Sequence, residues 1–122
     1  MGRWTVLLAN EFEPEFAALS EAVQDELLAQ ARVVEEFGPL AKRPRVDTLK
    51  GSKHANMKEL RFSADGGEWR VAFAFDPKRR AVLLVAGDKS GLGPAKAQKK
   101  FYDDLIARAD TRFDAHLRRT GK

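Results

Sequence analysis

The segment Glu68–Phe75 constrains this chain more than any other: Trp69, Val71, Phe73 and Phe75 alternate with Arg70, Ala72 and Ala74. A period of two puts the aromatic and branched side chains on one face of a β-strand and leaves the other face to small residues and one arginine. A helix would send the same rings to opposite sides of its axis. Asp65-Gly66-Gly67 before the segment is hairpin chemistry, and Asp76-Pro77-Lys78-Arg79-Arg80 after it is a turn with proline at a favoured position. Met57–Ser63 and Ala81–Ala86 therefore read as its antiparallel neighbours, the second a nearly continuous apolar run suited to a central strand. By alternation Arg61 shares a face with Met57 and Glu59, and Lys89 shares the parity of Leu83 and Val85.

Around these strands the pattern changes. Trp4–Leu8 is short, aromatic and branched, and reads as a strand. From Pro14 the apolar residues Phe16, Leu19, Val23, Leu27, Ala31, Val34 and Phe37 recur at steps of three and four, as in an amphipathic helix that stops at Gly38-Pro39. Ser20 offers a second cap, so this region is one helix or two. Residues 39–56 read as a basic loop, rich in proline and glycine, and Gly91, Gly93 and Pro94 close the sheet region. Phe101, Leu105, Ala109, Phe113 and Leu117 step by four along a final helix. The order β-α(-α)-β-β-β-α predicts an α+β fold with a mostly antiparallel sheet and helices on one face, one domain over residues 1–122.

Several function classes lack their residues. There is no cysteine, and the two histidines, His54 and His116, are far apart, so neither a metal centre nor a thiol nucleophile is expected, nor any cofactor. The chain has no phosphate loop of the Walker type and no GxSxG elbow. No run approaches the roughly 18 apolar residues that span a membrane. The stretch from Met1-Gly2-Arg3-Trp4 has too short an apolar run, and no small-residue cleavage site, to read as a secretory signal. The expectation is a cytoplasmic protein without a membrane partner.

The net charge of +4 conceals a segregation. Residues 1–38 hold two basic and eight acidic side chains, a net of −6, whereas residues 39–100 hold fifteen basic and six acidic ones, a net of +9. A basic middle segment is the footprint of a phosphate-binding surface. Its cations on strands and adjoining loops are Lys50, Lys53, His54, Lys58, Arg61, Arg70 and Lys89, with Arg79 and Arg80 at the β-turn as further RNA contacts. Fixed guanidinium and ammonium groups stabilise the charge that builds on a phosphate when a ribose 2′-hydroxyl attacks it, and neighbouring cations favour a lysine or histidine that is neutral near pH 7. Arg61 and Arg70 can equally be ordinary partners of Glu59 and Glu68. His116 reads as structural or exposed, and Tyr102, although able to stack on a base, sits in a helical setting that points to packing.

Leu49-Lys50-Gly51, then Met57-Lys58-Glu59-Leu60-Arg61, then Trp69-Arg70-Val71-Ala72-Phe73, then Leu83 to Lys89 resemble, in order and spacing, the RelE/ParE toxin superfamily and within it the HigB-like branch. The final stretch from Phe101-Tyr102-Asp103 through Ala109-Asp110 and Phe113-Asp114 to Leu117 is similar to the same branch. The resemblance implies a microbial ribonuclease-like sheet-and-helix fold, an antitoxin with a helix-turn-helix domain, and cleavage of mRNA on the ribosome. It implies that Arg70 sits against the scissile phosphate, with Arg61 and Lys89 beside it and Lys50, Lys53 and Lys58 as the basic approach. Several relatives place a histidine or tyrosine just after the last strand as acid or base. Asp88-Lys89-Ser90-Gly91 stands there instead, which leaves proton transfer to Lys89 or His54. The ParE-like branch shares the fold and poisons DNA gyrase without nuclease activity, and a non-catalytic RNA-binding module is a third reading.

Overall fold

The computed structural model describes residues 3–121; of the N-terminal stretch read above, Met1 and Gly2 lie outside the described residues, as does Lys122. The chain runs β1 (Thr5–Leu8), α1 (Phe12–Ala18), α2 (Glu21–Phe37), a 3-10 turn (Gly38–Leu40), β2 (Val46–Thr48), β3 (Met57–Ala64), β4 (Gly67–Phe75), β5 (Arg80–Asp88) and α3 (Ala95–Arg119). The five strands make one sheet in the order β1-β5-β4-β3-β2, antiparallel except for the β1–β5 pair. The class is α+β, as the sequence predicts.

Local chemistry accounts for the breaks. Ser20 leaves the helical conformation and its Oγ accepts from the Val23 N–H at 3.3 Å, so the first helical region is two helices. The apolar stripe of α2, Val23, Leu27, Ala31 and Val34, is buried. Between β3 and β4 the loop residues Asp65 and Gly66 both have positive φ, 51° and 78°, which matches the twist of a two-residue hairpin. Two elements differ from the sequence expectation. Val46–Thr48, inside the presumed loop, pairs with Leu60–Lys58 as a short edge strand. Helix α3 starts at Ala95, six residues before its apolar stripe, because Pro94 serves as a helix-initiating N-cap.

The helices divide between the two faces of the sheet rather than sharing one. Trp4 packs edge-on against Phe75 at 4.8 Å, and its indole lies against Gly38 at the end of α2, so α2 closes the aromatic face of β4. On the other face Gly87 stands opposite Arg70. A Cβ on Gly87 would come within 2.8 Å of the Phe101 ring, so α3 crosses the side of the sheet that carries Arg70. The small residues between and beside that strand's polar positions, Ala72 and Ala74, are what let a helix lie there.

A register shift at Ala72/Phe73 interrupts the β4–β5 ladder. Val85 opposes Ala72 and Leu83 opposes Phe73, leaving Leu84 as the extra residue. Leu83 thus faces the aromatic side while Val85 and Gly87 face the Arg70 side, a correction to the shared parity expected for Leu83, Val85 and Lys89. The Leu84 carbonyl, freed from regular pairing, accepts from Arg112 of α3 at 2.8 Å. Arg112 also grips Glu15 of α1 at 2.7 Å, tying both helices to the bulge.

Candidate functional site

Register across three strands builds one polar row. Arg61 of β3 stands opposite Arg70 of β4, which stands opposite Gly87 of β5. One step along, Asp47 of β2 opposes Glu59 of β3. Directly opposed residues share a face, so Asp47, Glu59, Arg61 and Arg70 all lie on the side that α3 crosses. The Lys89 N–H donates to the Glu68 carbonyl at 2.8 Å and holds that lysine at the end of the same face. Asp47, Thr48, Leu49 and Lys50 form one wall of an open groove, Tyr102 and Ile106 of α3 form another, and Glu59, Arg61 and Lys89 lie between them.

Two carboxylates neutralise one arginine here. Arg61 Nε donates to Glu59 Oε2 at 2.9 Å, and its Nη2 donates to Asp47 Oδ2 at 3.3 Å. Burial opposes the Arg61 charge, and the bond to Glu59 outweighs it, holding the guanidinium above its ordinary value. The Thr48 N–H, more than the cost of burial or the bond from Arg43, holds the Asp47 carboxyl below the carboxylate range. Glu59 is only 2% exposed although it lines the groove, and its second oxygen, Oε1, has no hydrogen-bond partner.

Arg70 differs from Arg61. Its Nη1 donates to the Trp69 carbonyl at 2.9 Å, its Nε is buried without a partner, and no carboxylate pairs with it among the described residues. Among the described residues Lys89 and Lys50 likewise have no acidic partner, and the Lys89 ammonium lies over the Tyr102 ring, 5.4 Å from its centre. Burial, then the Glu59 charge, push the Tyr102 phenol up, against the opposing effect of Arg70, so it is protonated at neutral pH. Glu59 and Tyr102 are the site residues that sequence reasoning did not select. Glu59 was legible only as a partner of Arg61, and the position of Tyr102 depends on where α3 crosses the sheet.

Other candidates lie elsewhere. His54 Nε2 meets Asp114 of α3 at 2.8 Å, and Lys53 pairs with the same carboxylate. Asp114 is twelve residues from Tyr102, about 18 Å along the helix, so the structure does not bring His54 to the groove. Lys58 projects from the opposite face of β3 and donates to Thr48 Oγ1 at 3.1 Å. Arg80 is held by Asp76 at 2.8 Å, and Arg79 lies over the Trp4 ring. Both sit nine residues or more before Lys89, roughly 30 Å away along an extended strand. Among the described residues no three His, Cys, Asp or Glu side chains converge to hold a metal ion. Nor is any helix among them long and apolar enough to cross a membrane.

A sheet with α2 on its aromatic face, and α3 crossing the other face beside a groove that holds Lys50 and Lys89, defines a RelE-type toxin fold. The solved structure of the E. coli toxin RelE, an arginine-substituted variant in the free state, overlays with a TM-score of 0.53, covering 85% of this chain and 99% of that one at 10% identity. Residues 14–114 match the family described as phage-derived protein Gp49-like. Two curated relatives are from Mycobacterium tuberculosis (strain ATCC 25618 / H37Rv). The putative toxin HigB3 is 39% identical over 92% of each chain, and the putative toxin HigB2 is 46% identical over 75% of this chain. This chain spans 43% of the length of HigB2 in that match. The chain belongs to the Gp49-like family of HigB/RelE-type toxins.

Proposed function

We propose that this chain, a single toxin domain over residues 1–122, acts in the cytoplasm by cutting mRNA on translating ribosomes without a metal ion, and is silenced by a cognate helix-turn-helix antitoxin. The observation that carries the reading is a set of cations without acidic partners among the described residues: Lys50 and Lys89 on one open groove, and Arg70 directly beside its Arg61. A solvated surface ordinarily pairs or scatters its charges. Here three stand together beside a fourth, Arg61, that is already satisfied.

In this reading Arg70 holds the scissile phosphate and meets the negative charge that builds on its oxygens as the 2′-hydroxyl attacks. Its planar guanidinium suits two phosphate oxygens at once. Lys89 stands at the same end of the face, and Lys50 guides the flanking backbone. Arg61, bound to two carboxylates, orders the groove and is the weaker candidate for phosphate contact. The curated relatives, both named as putative toxins, support this reading by family.

The test pairs two targets. Purified protein is incubated with ribosomes translating a defined mRNA, and separately with DNA gyrase and supercoiled DNA. Internally cut mRNA with untouched gyrase activity is the expected result. Intact mRNA together with gyrase inhibition overturns it in favour of a ParE-like poison. Ribosome or RNA binding without any cut overturns it in favour of a binding module.

A further inference from the structure

We infer that Glu59 and Tyr102 are the proton-transfer pair of this site: Glu59 accepts the proton of the attacking 2′-hydroxyl and Tyr102 gives one to the departing 5′-oxygen. This rests on the ribonuclease reading above. The first ground is a carboxylate in an unusual state. Glu59 is 2% exposed, one oxygen is committed to Arg61, and the other, Oε1, is buried without a partner on the floor of a groove open to solvent. A buried acceptor left unpaired carries a desolvation cost, and a native fold retains one where it has a use. Arg61 occupies the other oxygen, so Oε1 is an acceptor that waits for a donor. An incoming 2′-hydroxyl is such a donor.

The second ground is the opposing wall. Tyr102 comes from α3, in a different layer from Glu59, and its phenol faces both Glu59 and Arg70. It is therefore a neutral O–H donor beside the guanidinium that would hold the phosphate. Seating a phosphate on Arg70 parts Tyr102 from Glu59 and leaves one group toward the sheet and the other toward the helix. The 2′-oxygen then forms its bond to phosphorus as its proton passes to Glu59. The bond from phosphorus to the 5′-oxygen breaks with its electron pair on that oxygen, which takes the Tyr102 proton. The products are a 2′,3′-cyclic phosphate and a 5′-hydroxyl end. Once they leave, Glu59 returns its proton to the Tyr102 phenolate facing it, and the site is reset with no net gain or loss.

Glu59 shares the groove with Arg61 on its own strand, Asp47 from β2, Lys89 beyond β5 and Tyr102 from α3.

The experiment uses single-turnover cleavage on ribosomes of two short mRNAs, one normal and one with sulfur replacing the 5′-oxygen at the cut site. A thiolate leaves without needing a proton. Tyr102→Phe is expected to slow the normal mRNA by about 100-fold and to cut the sulfur mRNA near the parent rate. Glu59→Gln is expected to slow both by a similar factor. Adding Tyr102→Phe to Glu59→Gln should cost nothing further on the sulfur mRNA. Melting curves check that each variant is folded; should Glu59→Gln fail to fold, Glu59→Asp and the Tyr102→Phe pair still decide. A Tyr102→Phe protein equally slow on both mRNAs, or variants as fast as the parent, would overturn the pair while leaving the ribonuclease reading intact. Cleavage of neither mRNA by the parent would instead remove the reading beneath it.

Discussion

Arg61 and Arg70 stand directly opposite each other across the β3–β4 ladder, yet only Arg61 is neutralised. Glu59 and Asp47 bind the first at 2.9 and 3.3 Å, while the second has a backbone carbonyl and, among the described residues, no carboxylate. Like charges in directly opposed positions destabilise a sheet, and satisfying one of the pair lowers that cost while keeping the other available.

Arg70→Ala should therefore remove activity without removing the fold. Losing a charge-assisted contact to a transition state costs on the order of 3 kcal/mol, about a hundredfold in rate. Arg70→Lys should recover only part of it, since an ammonium cannot hold two phosphate oxygens in one plane. Arg61→Ala should lower the melting temperature as well, because it leaves the buried Glu59 without its partner, whereas Asp47 keeps Arg43 and the Thr48 N–H. Growth inhibition by Arg70→Ala as strong as the parent's would end the assignment.

Gly87→Ala tests the seat of α3. The new Cβ would lie 2.8 Å from the Phe101 ring, too close without movement of the helix. Overpacking of this kind costs about 1–3 kcal/mol, enough to lower the melting temperature by several degrees. Because Tyr102 follows Phe101, cleavage should fall too. Adding Phe101→Leu should restore part of both, and a Gly87→Ala protein with parental melting and activity would mean that α3 sits less tightly than described.

His116 is buried, stacked on Phe113, with its Nε2 2.9 Å from Asp76 Oδ2. Burial pushes the Asp76 carboxyl up, but bonds from His116, Arg80 and the Lys78 N–H outweigh it and hold the group below its ordinary value. A carboxyl depressed on folding contributes stability that is complete at neutral pH and is lost as pH falls below about 4. His116→Ala should cost about 1–3 kcal/mol at pH 7 and make the acid-side loss shallower, with cleavage per folded molecule unchanged. Melting curves from pH 7 to 3 for parent and variant measure this. Parallel curves would show that His116 does not hold Asp76.

RNA binding should weaken steeply with salt, since each phosphate contact releases counterions. Much of the basic segment is already paired: Arg43 with Asp47, Lys53 with Asp114, Arg80 with Asp76, Lys99 with Asp103, Lys100 with Asp104. The slope of log affinity against log salt should thus reflect the groove cations. Lys50→Ala and Lys89→Ala should each reduce it by about one, and Arg79→Ala should leave it unchanged. A slope insensitive to all three would place the binding surface elsewhere.

The strands β3 to β5 and their turns were legible because alternation and hairpin chemistry are local. The pairing of Arg61 with Arg70 follows from them once the two-residue loop at Asp65-Gly66 sets the register. What was not legible depended on distant partners. Val46–Thr48 is too short to show a period and becomes a strand only against β3. The first six residues of α3 bury little, so no stripe announces them. Leu84 shifts the phase of β5, and nothing in the run Ala81–Ala86 marks which residue is extra. Parity set Arg70 apart from the aromatic face of its strand, while the parity of Lys89 held with Val85 and failed with Leu83. His54 was placed by charge alone, and its carboxylate partner lies sixty residues away.

The opposite placement of α2 and the cationic groove has an electrical consequence. Helix α2 carries Glu21, Asp25, Glu26, Glu35 and Glu36 against one Arg32, and it covers the face of the sheet turned away from Arg70. The molecule is in effect a dipole whose negative pole is a helix and whose positive pole is the groove. In the field of a polyanion such a body experiences a torque before it makes any contact, so collisions arrive already oriented, groove first. The speed of such an arrival is then set in part by α2, a helix on the face turned away from the groove.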